Sequence, residues 1–501
     1  MNSYQASRPP DERSPLLASS PVRQRRPSAS SSCAAVRTGD GINNDERIKS
    51  RESTSELRML VKYSLPLIAT YLLQYSFFVI ITVVAGHLGP DELAAASIGV
   101  TTMNVIGLAI YEGMATALDT LCAQAYGSGN KQAVGLHIQR MLLLMALATI
   151  PIGAFWLCSP WVLPLVVKQH DVAVRAGSFL RYSLVGLPGY AAFEALKRFL
   201  QAQGNCNTGM AVLIICAPVN AVLSWALAFP LGMGLEGAAL GAALSNNLRF
   251  VLLLGYIVSP LGKWSHACWG GFSKDALRRW GVMISLSTAG ATATLAEWGA
   301  FEILTISSSY ISTEHLAAQT ILTTATVIVW HIPFSISVAV STRLGQLIGG
   351  EQLDIARRAI RVYLVSFFVV GFVDAAILYL LRHQITPLFT EDAEIQRITA
   401  GSFLTVALFQ VVDSVLCGTH GMMRGLGRQD VAAWIIFVMN YALGVPLAIW
   451  LELGPLQWAL DGIWVGFAVS SAATISAEGV YMRWLKWQTC VDSVKAREDD
   501  F

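Results

Sequence analysis

DELAAASIGVTTMNVI, residues 91–106, returns as TEHLAAQTILTTATVI, residues 313–328, a shift of 222 positions. At the same shift Thr120 meets Thr342, Gln124 meets Gln346 and Gly127 meets Gly349. Near the end of each half, LEGAALG at 235–241 meets LDGIWVG at 460–466, at a shift of 225. Each match is weak by itself. An offset held nearly constant across half the chain is the signature of an internal duplication, so the fold is two copies of one unit.

Composition identifies the unit. The chain is 54% hydrophobic and only 14% charged, with a mean hydropathy of +0.52, whereas a soluble domain carries about 25% charged residues. Polar breaks recur every ~35 residues, the repeat of one membrane helix plus a loop. The spacing predicts helices at 60–86, 94–118, 138–160, 178–200, 208–230, 237–259, 283–308, 318–345, 361–381, 398–423, 431–452 and 460–487. The alternating strands of roughly ten residues that build a transmembrane barrel are missing. The expected fold is an all-α integral membrane protein of twelve transmembrane helices in two pseudo-symmetric six-helix lobes, at 59–260 and 283–487, joined by a cytosolic loop at 261–282 and followed by a short cytosolic tail at 488–501. Pro66, Pro188, Pro218, Pro333 and Pro446 fall inside predicted helices as bend points or packing kinks.

The net charge of +2 says little; its placement says more. Of 35 Lys and Arg, 29 fall in the two tails and the even-numbered loops with their helix ends, 5 in the odd-numbered loops, and Arg249 lies within a helix. The positive-inside rule then puts both termini in the cytosol, in agreement with an even number of spans. The eight cysteines suggest no disulfide framework, and no CxxC, HExxH, Walker A or strand-borne GxGxxG appears. Neither metal, nucleotide drive, enzymatic chemistry nor nucleic-acid binding is expected; the partners are the bilayer and small organic solutes. Residues 1–58 are rich in Ser, Pro and Arg, a composition that reads as a disordered cytosolic tail. Within it DERSPLL, residues 11–17, sets Glu12 four residues before Leu16 and Leu17. This resembles the acidic di-leucine signals that clathrin-adaptor machinery reads, which implies a vacuolar or lysosome-like membrane, with the plasma membrane as the alternative.

Several predicted helices carry an acid near their middle, at a cost of roughly 2.5–3.5 kcal/mol on insertion scales, and such groups default to a functional reading. Burial raises a carboxylate's pKa toward neutrality, where it can load and release a proton. In AEWGAFEIL, residues 296–304, Glu297 sits near the midpoint of helix 7 with Glu302 five residues on, about 140° around the helix, so the two are not expected to point straight into one cavity. Asp413, in LFQVVDSVLCG, lies midway along helix 10 with Gln410 on the same face. Glu112 lies in helix 2, as an N-lobe site or a cap on a polar pocket; Asp119 is expected to brace a loop, and Glu194 to pair with Arg198 at i+4. Gln74, Tyr75, Asn104, Trp298 and Phe301 are candidates to line a cavity, where each well-placed ring adds about 0.5–2 kcal/mol for a cation. The competing reading for every one of them is ordinary helix packing.

The motifs together resemble the multidrug and toxic compound extrusion family, in its eukaryotic branch: AGHLGPDELAAAS at 85–97, ALDTLCAQAYGSGN at 117–130, LQAQG at 200–204, EWGAFE at 297–302, STRLGQLIGG at 341–350 and MRGLGRQ at 423–429. The resemblance covers about residues 60–485 and maps that family's essential acid onto Glu297 and its second acid onto Glu302, with an acid of eukaryotic members at Asp413. Glu112 departs from animal and plant members and is similar to a fungal version. The resemblance implies an antiporter that exchanges protons for organic, cationic or amphipathic solutes, without a cofactor. Sodium coupling stays open, since sodium needs only a few oxygens. Three rival readings exist: a major facilitator transporter, whose charged loop is replaced here by AYGSGNKQ at 125–132; a lipid flippase or scramblase of related architecture; and a transport-dead sensor, which needs a structured cytosolic domain.

Overall fold

The computed structural model describes residues 39–167 and 169–499. The DERSPLL stretch with Glu12, Leu16 and Leu17 lies outside the described residues. Almost everything described is helical. The first helix, α1, runs Gly39–Leu88, and Thr54–Leu88 is its apolar span. The others are α2 (Pro90–Ser128), α3 (Lys131–Val166), α4 (170–202), α5 (Asn207–Ala228), α6 (Gly234–Val258), α7 (Gly281–Ser307), α8 (Thr313–Gly349), α9 (Leu353–Leu380), α10 (Ala393–Gly425), α11 (Gln429–Leu453), α12 (Ala459–Trp484) and a terminal α13 (Gln488–Asp499).

Among the described residues ten helices are long and apolar enough to cross a membrane. The two long segments that fall short are α4 and α7. A 3-10 turn at Leu184–Gly186 breaks α4 into two short helices, with Pro188 in the first turn of the second. Ser, Thr and Gly together with Glu297 and Glu302 lower the hydropathy of α7. Pro446 likewise opens the helix after a π turn at Met439–Gly444, whereas Pro66, Pro218 and Pro333 sit inside unbroken helices. A second π turn, Asn104–Leu108, interrupts α2; Ile106 leaves helical geometry there, and Trp156 Nε1 donates to its freed carbonyl at 3.2 Å.

Apolar packing follows the two halves with one exchange. One buried cluster draws on residues from Phe77 to Leu286. Two others draw mainly on residues beyond 290, but Leu60, Tyr63, Leu67 and Tyr71 of α1, with Cys206, belong to the larger of these. The halves also touch through the repeat itself. A Cβ on Gly127 would stand 2.2 Å from the Gln346 carbonyl oxygen, and a Cβ on Gly349 would stand 2.0 Å from that of Gln124. Only glycine allows helices to approach so closely. Gln124 Nε2 donates to the Gly425 carbonyl at 3.1 Å, and Gln346 Nε2 to the Ala202 carbonyl at 2.9 Å. Each repeat thus makes the same contact on the other. Helix α13, expected as a plain tail, docks beside this crossing: Cys490, Val491 and Val494 are buried, Arg497 Nη1 donates to Gln124 Oε1 at 3.0 Å, and Lys495 pairs with Glu351 at 2.8 Å.

Candidate functional site

On α7, residues 290, 294, 297, 301 and 305 follow the 3–4 spacing of a single helix face. This face borders a cavity of about 220 Å³. Trp330 and Phe334 of α8, Asp413 and His420 of α10, Asn440 of α11 and Phe467 of α12 close it, with Glu112 and Thr116 of α2 at one side. The cavity therefore belongs mainly to the second half.

Its polar centre is a chain of three groups from three helices. His420 Nδ1 lies 3.2 Å from Glu297 Oε1, and its Nε2 lies 3.5 Å from Glu478 Oε1. Glu478 is fully buried and Asp413 nearly so. An imidazole between two carboxylates gives a proton adjacent resting places, and His is the side chain whose ordinary pKa lies nearest cellular pH. Arg424 also borders the cavity and donates to Ser337 Oγ at 2.6 Å. The walls are aromatic: Phe301 stacks on Phe467 with centroids 4.1 Å apart, and Trp330 stacks on Phe334 at 4.6 Å.

Of the residues singled out in the sequence, Glu297, Glu302, Asp413, Glu112, Trp298 and Phe301 line this one cavity. Glu302 corrects the expectation that the two acids of α7 face apart. The cavity wraps a wide arc of the helix, from Ala293 on one flank to Glu302 on the other with Glu297 between them, so 140° of rotation does not remove either acid from it. Gln410 lies outside the lining and is fully buried, its amide atoms without hydrogen-bond partners among the described residues. Tyr75 packs its ring 4.9 Å from that of His331, and Asn104 opens the π turn of α2. His420 and Glu478 were not anticipated, although His420 stands seven residues, two turns, from Asp413 on the same helix face.

The first half holds a different arrangement. Gln74 Nε2 donates to Glu194 Oε1 at 2.9 Å and to the Tyr190 hydroxyl at 3.2 Å, and that hydroxyl donates to Glu112 Oε1 at 2.6 Å. Glu194 pairs with Lys197 at 2.9 Å and with Arg198 at 2.6 Å. Asp119 pairs with Arg198 at 3.2 Å. Asp119 therefore joins two helices in the interior, rather than bracing a loop, because its cationic partner arrives from α4. The cavity beside this network measures only about 30 Å³, room for about two waters.

Comparison with known proteins adds the following. A family model described as MatE matches residues 66–226 and again 291–450, once in each half. An uncharacterized transporter of Saccharomyces cerevisiae is 36% identical over 455 residues, which span 89% of this chain but 64% of that protein. The chain thus covers less than two thirds of that relative's length. An uncharacterized transporter of Schizosaccharomyces pombe is 33% identical over 462 residues, 92% of this chain and 85% of the relative. Among solved structures, the crystal structure of a eukaryotic MATE transporter aligns with a TM-score of 0.84 and 26% identity, over 89% of this chain and 99% of its own.

Proposed function

The chain belongs to the MatE family of membrane transporters, and on that premise we propose that it is a proton-coupled antiporter that exports organic cationic or amphipathic solutes from the cytosol. The observation that carries this reading is the Glu297–His420 pair in the wall of an aromatic cavity of about 220 Å³, continued behind the wall by the buried Glu478. Glu297 is the proton carrier, Asp413 shares the titration, and Glu302 supports the polar network. A cation between Phe301, Trp298 and Trp330 gains from ring faces and from ionised acids. Protonation of those acids removes the attraction, so solute and proton alternate. Each ligand binds one orientation of the lobes better than the other and biases the rocking between them.

In this reading twelve spans form two six-helix lobes, α4 and α7 being the two that polar residues disguise. Both termini lie in the cytosol, as the 29-to-5 distribution of Lys and Arg supports. The DERSPLL stretch directs the protein to a vacuolar membrane, whose acidic lumen supplies the proton. In proteoliposomes, an imposed pH gradient is expected to drive accumulation of members of an organic-cation panel. Uptake that follows a sodium gradient and ignores pH overturns the proton assignment. Leu16→Ala with Leu17→Ala is expected to move a fluorescent fusion from the vacuolar to the plasma membrane; unchanged location makes the stretch a chance match.

A further inference from the structure

On the premise that the chain exports organic cations, we infer that Glu112 is a solute-binding carboxylate that the first half contributes to the large cavity, where it sets a preference for cations over neutral molecules of the same shape. Glu112 differs from the other acids of its half. Asp119 and Glu194 are buried and closed in ion pairs with Arg198 and Lys197. Glu112 is partly exposed and borders the cavity of about 220 Å³. Acids and bases of the first-half network balance in number: Glu112, Asp119 and Glu194 against Lys197, Arg198 and Arg249. Yet among the described residues no base comes within ion-pairing distance of Glu112. Lys197 and Arg198 close on Glu194 and Asp119. Arg249 lies against the rings of Tyr190 and Phe193, each centroid 4.6 Å from its Cζ. Both bases that border the cavity, His420 and Arg424, come from α10, and neither pairs with Glu112. Among the described residues its one hydrogen bond is the Tyr190 hydroxyl on Oε1, at 2.6 Å. Oε2 is left open to the cavity.

The carboxylate is also held from behind. Gln74 Nε2 donates to the Tyr190 hydroxyl at 3.2 Å and to Glu194 Oε1 at 2.9 Å. The hydroxyl that fixes Glu112 is thus itself fixed by the buried ion pairs. A group ordered in advance loses little freedom when a ligand arrives. The neighbouring Gly113 sets its height in the cavity. A Cβ there would stand 2.6 Å from Ala291 Cα, so α2 crosses α7 at Ala291, about 9 Å of helix rise from Glu297. Thr116 and Thr294 line the wall around this crossing. The interval suits an organic cation of one or two rings, lying between a carboxylate of each half with Trp298 and Trp330 in the walls. A neutral molecule of that shape keeps the ring contacts but gains nothing from the carboxylates. Glu112 therefore selects the solute's charge, and Glu297 couples its movement to the proton.

The test is equilibrium binding to the full chain in detergent, with no pH gradient. The probes are tetraphenylphosphonium, whose charge is permanent, and triphenylphosphine oxide, a neutral molecule of similar shape. Wild type is expected to prefer the cation. Glu112→Gln is expected to lose about tenfold in affinity for the cation and to bind the neutral probe as wild type does. Tyr190→Phe, which keeps the ring but releases the carboxylate, is expected to show a smaller loss, again for the cation alone. Glu112→Asp is expected to recover part of the affinity lost in Glu112→Gln; it and Tyr190→Phe serve if Glu112→Gln does not fold. In proteoliposomes the loss in Glu112→Gln is expected to fall on KM, while uptake still follows the pH gradient. A preference for the cation that stays undiminished in these variants, or equal losses for both probes, overturns the assignment and leaves the antiporter standing. Uptake driven by sodium alone overturns the proton coupling and leaves Glu112 in its role. A wild type that prefers neither probe overturns both.

Discussion

The two halves repeat one helical unit, yet they use buried charge in opposite ways. In the first half Arg198 is clamped between Asp119 and Glu194, and Lys197 closes on Glu194. The adjoining cavity is too small for a solute. In the second half Glu297, Glu302 and Asp413 border a cavity about seven times larger, by the ratio of 220 to 30 Å³. One histidine serves two of its acids. The repeat relation sharpens the contrast: at the shift of 223 that aligns Gly204 with Gly427, both with positive φ, Lys197 falls on His420 and Tyr190 on Asp413. Where one copy holds a lysine and a phenol, the other holds a histidine and a carboxylic acid. A shared scaffold thus carries a network of closed ion pairs on one side and, on the other, an acid-lined cavity that we propose to titrate.

The strongest way to break this contrast is Glu297→Gln, which keeps shape and polarity but cannot titrate. We expect normal expression, retained solute binding and loss of pH-driven uptake by a hundredfold or more, with Glu297→Asp retaining partial activity at a shifted pH optimum. Transport at the wild-type rate with unchanged pH dependence, measured in vesicles at matched expression, removes Glu297 from the coupling role. Next in size is Arg198→Met, which leaves the buried Asp119 without a cation and Glu194 with Lys197 alone. A loss of about 3–5 kcal/mol of stability is expected. Chemical denaturation in detergent measures it, and a loss below about 1 kcal/mol denies the first half its structural role. Phe301→Ala removes a ring stacked on Phe467 and is expected to weaken affinity for a cationic solute by about two- to thirtyfold, with little effect for a neutral one. Equal losses for both solutes reduce the ring to packing. Glu302→Gln is expected to lower uptake only two- to threefold; abolished uptake moves the proton from Glu297 to its neighbour.

Much of the second half's site could be read in the sequence because an acid in an apolar stretch is costly and therefore conspicuous. Glu297, Glu302 and Asp413 announce themselves in that way. Glu478 obeys the same rule, in AATISAEGVYM at 472–482, and two-turn spacing links His420 to Asp413; weighing acids one at a time hid both. Asp119 was misjudged because its partner lies 79 residues away, as 198 less 119 shows, and no local pattern encodes such a pairing. The π turns escaped for another reason. An i→i+5 register differs from the 3.6 period by one inserted residue, too little to disturb the apolar pattern around Asn104. The helix α7 itself was legible despite its polar face, since the recurrence of polar breaks every ~35 residues predicts a span at 283–308.

The crossing of Gly127 with Gln346 and of Gly349 with Gln124 has the form i-on-j together with j-on-i. That is the form of an isologous interface, the kind two identical subunits make across a two-fold axis. A single chain that contacts itself in this manner is a dimer made covalent. Covalent linkage frees the two copies to differ everywhere except where they meet. One glycine widened to valine would disturb both sides of the axis at once, while a charge altered deep within one copy leaves the other untouched.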